Sequence, residues 1–375
     1  MWLVAGIALA LVLQGCASKW ETTLIGPDGA SRVVNREALK ALMVNEQAES
    51  VPVDAVLYAA GYELVSSITV TDADGAATPY DWSEAADAAV WQLDGGLGLG
   101  DRRAVAIAVA TLVPPGPVTA RPIDVAVTAT RALGLRIPAE ATGQRLYDGL
   151  ADHVLIVVLD SFGYVRYTEA LEAGLIPTLA KLGPPRLGLT VYPPATSVAS
   201  AALLTGAPPS VNIVTDRGIR STAVETMFEV VAQAGLRGVA VEGDALAFNM
   251  RDAEIMLSGD RDGNGSTDDN VLANALAVLD AGMPDLLWIH FHGIDDAGHT
   301  YGPGAPEEEA AIGTVDAAVG EILGALSERA LADERTLVLI VADHGMHLVN
   351  EEARLGNHGH LIARDMLIPV FVLEP

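Results

Sequence analysis

Four stretches of this chain are apolar without alternation: "HVLIVVLD", "GLRGVAVEG", "PDLLWIHFHGID" and "TLVLIVADHG". A strand with one wet face alternates polar and apolar residues, whereas a strand apolar at every position is covered on both faces. Segments with helical spacing separate the runs: "TSVASAALLTG", "TAVETMFEVVAQAG", "DDNVLANALAVLDAG" and "EEEAAIGTVDAAVGEILGALSERA". Buried strands alternating with helices predict an α/β fold, a mostly parallel central sheet with helices on both faces. No internal repeat is visible.

Three of these strands run out into acid. "HVLIVVLD" ends at Asp160, "LLWIHFHGID" reaches Asp295, and "TLVLIVADH" ends at Asp343 and His344. In an open α/β sheet the carboxyl ends of parallel strands share one edge, where ligands bind. A lone aspartate at a strand end is ordinarily a turn or capping residue. Three of them accompanied by histidines point instead to metal chemistry. Asp295 and His299 are four apart and can face one ion. "RLGNHGH" sets His358 and His360 between glycines, where the backbone can bend an imidazole inward. Carboxylate and imidazole without thiolate suit zinc, with manganese or iron as alternatives. In "YPPATSVASAALLTG", Thr196 and Ser197 open a helix just after a Pro-Pro turn. Hydroxyls there serve as caps, but a helix N-terminus also offers N–H groups to an anion. A metal-bound hydroxyl at that place could attack phosphorus.

Taken in order, "LDSFGY", "PPATSVASAALLTG", "DDAGHTYGP", "VADHGM" and "GNHGH" resemble the alkaline phosphatase superfamily, closest to its type I phosphodiesterase and nucleotide pyrophosphatase branch. The resemblance covers Val154 to Pro375. It implies one zinc held by Asp295, His299 and His358. It implies a second held by Asp160, Thr196, Asp343 and His344, about 4 Å from the first. It selects Thr196 as the nucleophile because the family nucleophile lies nine residues before a Thr-Gly pair, here Thr205-Gly206. The expected activity is a two-metal phosphohydrolase or phosphodiesterase with a phospho-threonine intermediate. Phosphoryl- or phosphoethanolamine-type transfer, or a mutase reaction, uses the same site architecture. The chain departs from the nucleotide pyrophosphatases at Ala199, where they carry an asparagine; Ser200 is the available substitute. "TSVAS" lacks the sulfatase pattern. His292 and His360 match no ligand position of the family and are expected to support the ligands from behind or to lie at the surface. Arg217 and Arg220 are expected in an exposed turn within reach of a substrate.

Beyond the catalytic motifs the chain is strongly acidic, with a formal net charge of -27. That excludes a nucleic-acid polymer as partner, because phosphate backbones need basic surface. An anionic substrate is compatible only where local cations reverse the field, as two divalent ions beside three aspartates would. The single cysteine, Cys16, ends the apolar run "MWLVAGIALALVLQGC". That run is expected to be a lipoprotein signal peptide (residues 1–16), with lipid on Cys16 anchoring the chain outside the cytoplasm. No later run reads as a membrane helix. A non-catalytic lipid-anchored binding protein is the rival reading.

Residues 17–102 read as a small α+β accessory domain, with a helical stretch in "NREALKALMVNE" and a hairpin signal in "TDADGAATPY". The catalytic domain is expected over 103–375. Its segment 103–150 is expected to be circularly permuted, because "RPIDVAVTATRALGLRIPAEATGQRLYDGL" resembles a superfamily segment that commonly closes the domain. Permutation predicts the strand Val105–Val113 near Pro369–Leu373. Finally, "GDRDGNGSTDDN" sets Asp260, Asp262, Asn264 and Asp268 at calcium-loop spacing, although Val271 stands where the bidentate glutamate belongs. One calcium ion is a further expected cofactor.

Overall fold

The computed structural model describes residues 20–43, 49–93, 95–99, 102–261, 263–328, 335–349 and 354–375. The proposed signal segment and Cys16 lie outside the described residues. The chain divides into two compact units, Met1–Val113 and Pro114–Pro375.

The first unit is built on an eight-stranded sheet. Its long strand Arg102–Thr111 pairs in parallel with Glu21–Ile25 and antiparallel with Val65–Asp72. The latter forms the expected hairpin with Ala77–Asp81. Helix Arg36–Ala41 starts at Asn35, whose side chain accepts from the N–H groups of Glu37 and Ala38. The expectation for 103–113 needs correction. This strand belongs to the accessory sheet and is not paired with Leu367–Leu373, whose partners are Arg186–Leu189 and Thr336–Ala342. Its burial alternates, with Ala104, Ile107 and Val109 inside and Val105, Ala108 and Ala110 outside. Small outward alanines made the run read as continuously apolar, although only one face is covered. The unit boundary accordingly falls at Val113, not at residue 102.

The second unit holds a seven-stranded sheet. Its strands are β1 (His153–Leu159), β2 (Arg186–Leu189), β3 (Gly238–Glu242), β4 (Glu254–Leu257), β5 (Leu286–Phe291), β6 (Thr336–Ala342) and β7 (Leu367–Leu373). The order across the sheet is β2-β7-β6-β1-β5-β3-β4. β7 alone runs antiparallel to its neighbours, the mixed edge common in large α/β sheets. The central strand β1 is buried from Val154 to Leu159, and β5 and β6 are buried almost throughout. The helices packed around the sheet include α1 (Ile123–Ala132), α2 (Tyr164–Ala173), α3 (Thr196–Thr205), α4 (Met227–Gln233), α5 (Asp268–Ala281), α6 (Gly293–Tyr301) and α7 (Pro306–Glu328).

Residues 114–150 pack within this unit. α1 lies against α3 and α4. Thr119 donates to the Leu187 carbonyl and Leu189 to that of Ala120, so this segment borders β2. Asp124 fixes the loop after α1 by accepting from the backbone of Arg121 and Gln144.

α7 is long and apolar enough to cross a membrane by length and composition, contrary to the reading from the sequence. Here it turns Ile312, Val315, Val319 and Ile322 into the core. At its start the buried Glu308 takes a fork from Arg166 of α2, at 2.6 Å to Nη2 and 2.8 Å to Nε. Both side chains are almost wholly enclosed. Removing one partner strands a buried charge. Glu308→Ala is therefore expected to lower the unfolding free energy by about 3–5 kcal/mol, read by urea denaturation. A loss under about 1 kcal/mol would mean that the pair behaves as a solvated surface bridge.

Candidate active site

The carboxyl ends of β1, β5 and β6 deliver the acids predicted there. Asp160 follows β1, Asp343 follows β6, and Asp295 sits in the first turn of α6 just after β5. Two groups of side chains gather at this edge. Asp160, Asp343 and His344 form one, and Asp295, His299 and His358 the other; within each group the candidate ligand atoms lie within 4.8 Å of one another. Thr196 reaches the first group. Its Oγ1 is 3.2 Å from His344 Nε2 and 3.4 Å from Asp160 Oδ1. Ser197 turns away, buried, toward the carbonyl of Asp216 at 3.5 Å.

The three imidazoles of these groups are oriented in the same manner. His344 Nδ1 donates to the Gly345 carbonyl, His299 Nδ1 to Gly356, and His358 Nδ1 to Pro194, at 3.0, 2.8 and 2.8 Å. Each bond leaves Nε2 as the lone-pair nitrogen facing the carboxylates, the arrangement that prepares a histidine to bind a metal. His344 Nε2 lies 3.4 Å from both Asp160 Oδ1 and Asp343 Oδ2. His299 Nε2 lies 3.3 Å from Asp295 Oδ2.

The donor set fits divalent cations. Asp295 Oδ1 and Asp343 Oδ2 are buried without a hydrogen-bond partner, which costs free energy unless a positive charge is near. Burial, then the neighbouring Asp160, push the Asp343 carboxyl up to about 6. Burial, then Asp295, push Asp296 up to about 6. Burial and the adjacent His344 hold His358 well below the usual imidazole range, so it is neutral as a ligand must be. The Arg354 guanidinium lies 2.5 Å from His299 Nε2, so this corner already accepts a cation.

Glycines let the strand-end loops approach. A Cβ on Gly345 would overlap the carbonyl oxygen of Arg364 and come 2.9 Å from the Cα of Gly163. The loops after β1 and β6 thus touch at backbone distance, which brings Asp160 and Asp343 together. α3 begins at Ala195, which offers no side-chain cap, so no side-chain acceptor competes for the first N–H groups beside Thr196.

A cavity of about 690 Å³ opens over the site. Thr196, Asp295, His299 and His358 line it together with Arg217, Arg220 and Arg354. Arg217 and Arg220 are exposed, as expected, yet both face the cavity. Ala199 and Ser200 are fully buried in α3 and do not line it, so Ser200 cannot take the asparagine's place at a substrate. His360 contributes its backbone N–H to Asp365 and its ring to a contact with His347, and it joins neither group.

In the expected calcium loop, Asp260 and Asp268 each have partners within the protein. Asp268 is buried and accepts from the N–H groups of His292 and Gly293 at 2.9 Å. Asp260 is taken up by the backbone N–H groups of Gly263, Asn264 and Gly265. The two carboxylates serve different partners, and Asp262 lies outside the described residues.

Sequence reasoning missed His290 and Glu242, which with His292, expected behind the ligands or at the surface, form one further cluster. His290 and His292 reach Asp160 Oδ2 at 3.5 and 3.0 Å, and Glu242 stands behind both rings. Burial opposes charge on every member. The hydrogen bonds from His290 and His292 outweigh it for Asp160, which is held well below the usual carboxylate range. Glu242 is held down to about 2 against its burial by the same histidines. Despite burial, the two carboxylates raise His290 to about 9 and His292 well above its ordinary value.

Residues 242–369 match the family model of type I phosphodiesterase / nucleotide pyrophosphatase. Over 129 residues the chain is 29% identical to the catalytic subunit of GPI ethanolamine phosphate transferase 3 of Mus musculus, covering 34% of this chain and 10% of that protein. An uncharacterised pyrophosphatase/phosphodiesterase of Schizosaccharomyces pombe is 34% identical over 71 residues, 19% of this chain and 14% of that one. The chain thus spans about a tenth of the length of the mouse relative. Among solved structures, human ectonucleotide pyrophosphatase / phosphodiesterase 5 aligns with a TM-score of 0.49 at 14% identity, covering 60% of this chain and 88% of that one. Phosphonoacetate hydrolase from Sinorhizobium meliloti aligns with a TM-score of 0.43 at 20% identity, covering 58% and 62%.

Gly345→Ala should force the two loops apart and weaken zinc binding by about 10- to 100-fold, the usual cost of disturbing the support of metal ligands. Zinc titration against a competing chelator measures this, with circular dichroism as the check on folding. An unchanged affinity would show that the close approach of the loops is not what sets the site.

Proposed function

We propose that this chain, whose residues 242–369 belong to the type I phosphodiesterase / nucleotide pyrophosphatase family, is a metal-dependent phosphoric ester hydrolase that works through a threonyl-phosphate intermediate. The observation that carries the reading is the placement of Thr196. Its hydroxyl stands at an uncapped helix N-terminus, within 3.4 Å of Asp160 and His344. The Asp295, His299 and His358 group lines the same cavity.

Asp160, Thr196, Asp343 and His344 would hold one divalent ion, and Asp295, His299 and His358 a second. Bound there, zinc or manganese supplies Lewis acidity toward phosphoryl oxygens and lowers the pKa of a coordinated hydroxyl. The chain's own groups do the rest. The N-terminus of α3 directs backbone N–H groups at the anionic phosphoryl group. Arg217 and Arg354, on the cavity wall, attract its charge. Thr196 Oγ1 forms a bond to phosphorus as the ester oxygen departs with the electron pair and is protonated as an alcohol. The threonyl proton leaves to solvent. Water then attacks the phospho-threonine, restoring the hydroxyl and releasing the phosphorylated product.

Residues 1–16 and lipid on Cys16 would place this activity outside the cytoplasm at a membrane surface. Mass spectrometry of the native protein tests that part separately, since an intact Met1 would overturn it.

A second reading is favoured by the match to ethanolamine phosphate transferase. The same threonyl intermediate would then pass its phosphoryl group to an alcohol instead of water. Turnover of a phosphodiester with and without added alcohol acceptor separates the two by the product formed.

Thr196→Ala is expected to abolish turnover while metal content stays near that of the parent. Quenched incubation with labelled substrate should leave label on the peptide containing Thr196; label on Ser197 would refute the assignment. Arg217→Ala, at an exposed position, should raise KM by about tenfold, the worth of one charge-assisted hydrogen bond, with kcat nearly unchanged. Equal losses in kcat and kcat/KM would place Arg217 in the transition state instead.

A further inference from the structure

The loop that carries His358 lies outside any helix or strand from His358 to Ile362. Gly359 within it has φ +131°, a backbone that favours glycine. Holding such a loop in one place costs conformational entropy, so other contacts must fix it. Asp365, in the short helix Ala363–Met366, is fully buried and supplies them. Its Oδ2 accepts from the N–H groups of Gly359 at 2.9 Å and His360 at 3.0 Å, the residues that directly follow His358. Its Oδ1 accepts from His347 Nδ1 at 2.8 Å. A carboxylate offers two acceptor oxygens, and here both are used. Without it, three donors in a buried place would lose their acceptors.

The same residue reaches the chain that leaves the other metal group. The Asp365 carbonyl accepts from the N–H of Gly345 at 2.9 Å, directly after His344. His347 lies just beyond, and its short strand His347–Leu348 pairs antiparallel with Gly356–Asn357, just before His358. Asp365 therefore ties the segment after His344 to the segment around His358. Those two histidines belong to different groups of candidate ligands. Their rings nevertheless stack, with centroids 4.1 Å apart and 27° between the planes. The bonds from His344 Nδ1 to Gly345 and from His358 Nδ1 to Pro194 set how each ring is turned. They leave open where the two loops stand relative to each other, and that is what Asp365 fixes.

We propose that Asp365 is a positioning residue that sets the separation of the two metal groups. It acts on His358 through the N–H groups of Gly359 and His360. It acts on His344 through Gly345 and His347. The inference rests on the metal reading of the site under the proposed function. His360, which joins neither group by its ring, takes part through its backbone N–H.

Asp365→Asn tests this, because it keeps the size of the side chain but leaves one acceptor oxygen for three donors. The full chain and the variant are titrated with zinc chloride against a competing chelator, and separately with cobalt chloride. Visible absorption of bound cobalt reports the geometry of its ligands. The variant is expected to bind zinc at least about tenfold more weakly, as when the support of a metal ligand is lost. Its cobalt bands at saturation are expected to shift. An aspartate that serves only the fold would lower Tm and leave the spectrum and the zinc affinity of the folded chain unchanged; that result overturns the proposal. A wild-type chain that takes up neither zinc nor cobalt would refute the metal reading itself, and this inference with it. If Asp365→Asn fails to fold by circular dichroism, His347 provides a second pair of variants. His347→Leu removes the donor to Oδ1, whereas His347→Asn puts an amide N–H near the place of Nδ1. Zinc affinity should fall about tenfold in the first and recover in the second. Equal affinity in the two would overturn the proposal.

Discussion

The buried carboxylate of Asp160 is the group on which the rest of the site depends. It stands at the end of the central strand with both oxygens engaged by different clusters. An isolated carboxylate in such a place would cost several kcal/mol in lost hydration. The surrounding chain answers with imidazoles on both sides: His344 at one oxygen, His290 and His292 at the other. That balance is still incomplete at Asp343, whose Oδ2 has His344 Nε2 at 3.4 Å but no hydrogen bond. An acidic protein can therefore present a locally cation-binding edge, and through bound cations an anion-binding one. The net charge of -27 describes the surface and not this edge.

Strand geometry sets which residues meet. β1 pairs with β5 and β6 in parallel, in registers that align Leu159 with Phe291 and with Ala342. The residues just beyond these three positions are Asp160, His292 and Asp343. A single register thus brings two carboxylates and one imidazole to the same height on the edge. Close contact between Gly163 and Gly345 then fixes the loops that leave it.

Much of this was legible because the strands are buried on both faces. Continuous apolar runs ending in acid are unmistakable, and they located Asp160, Asp295 and Asp343. The helix start singled out Thr196 and Ser197 together and the resemblance chose Thr196; in the structure Ser197 bonds the Asp216 carbonyl, while Thr196 faces Asp160 and His344. His290 was hidden because it sits inside the run "LLWIHF", where one polar residue among apolar neighbours reads as a strand interior. Glu242 was hidden although it ends β3 as Asp160 follows β1. A strand-end glutamate beside the family motifs was the available signal. The strand at Arg102–Thr111 was misplaced for the opposite reason: alanines make an outward face look buried.

Asp268 shows how a correct residue was read in the wrong role. Its spacing from Asp260 suggested a shared calcium ion. Instead it opens α5 and turns back to accept from the backbone of His292 and Gly293. Those N–H groups lie at the start of α6, where the helix dipole favours a negative charge. α6 carries Asp295 in its first turn and His299 in its last, and the preceding His292 faces Asp160 and Glu242. One buried carboxylate therefore anchors both the helix that carries Asp295 and His299 and the histidine that faces Asp160 and Glu242. Burial raises its pKa, and those backbone bonds oppose the rise. The bonds are what allow an acid to occupy this position.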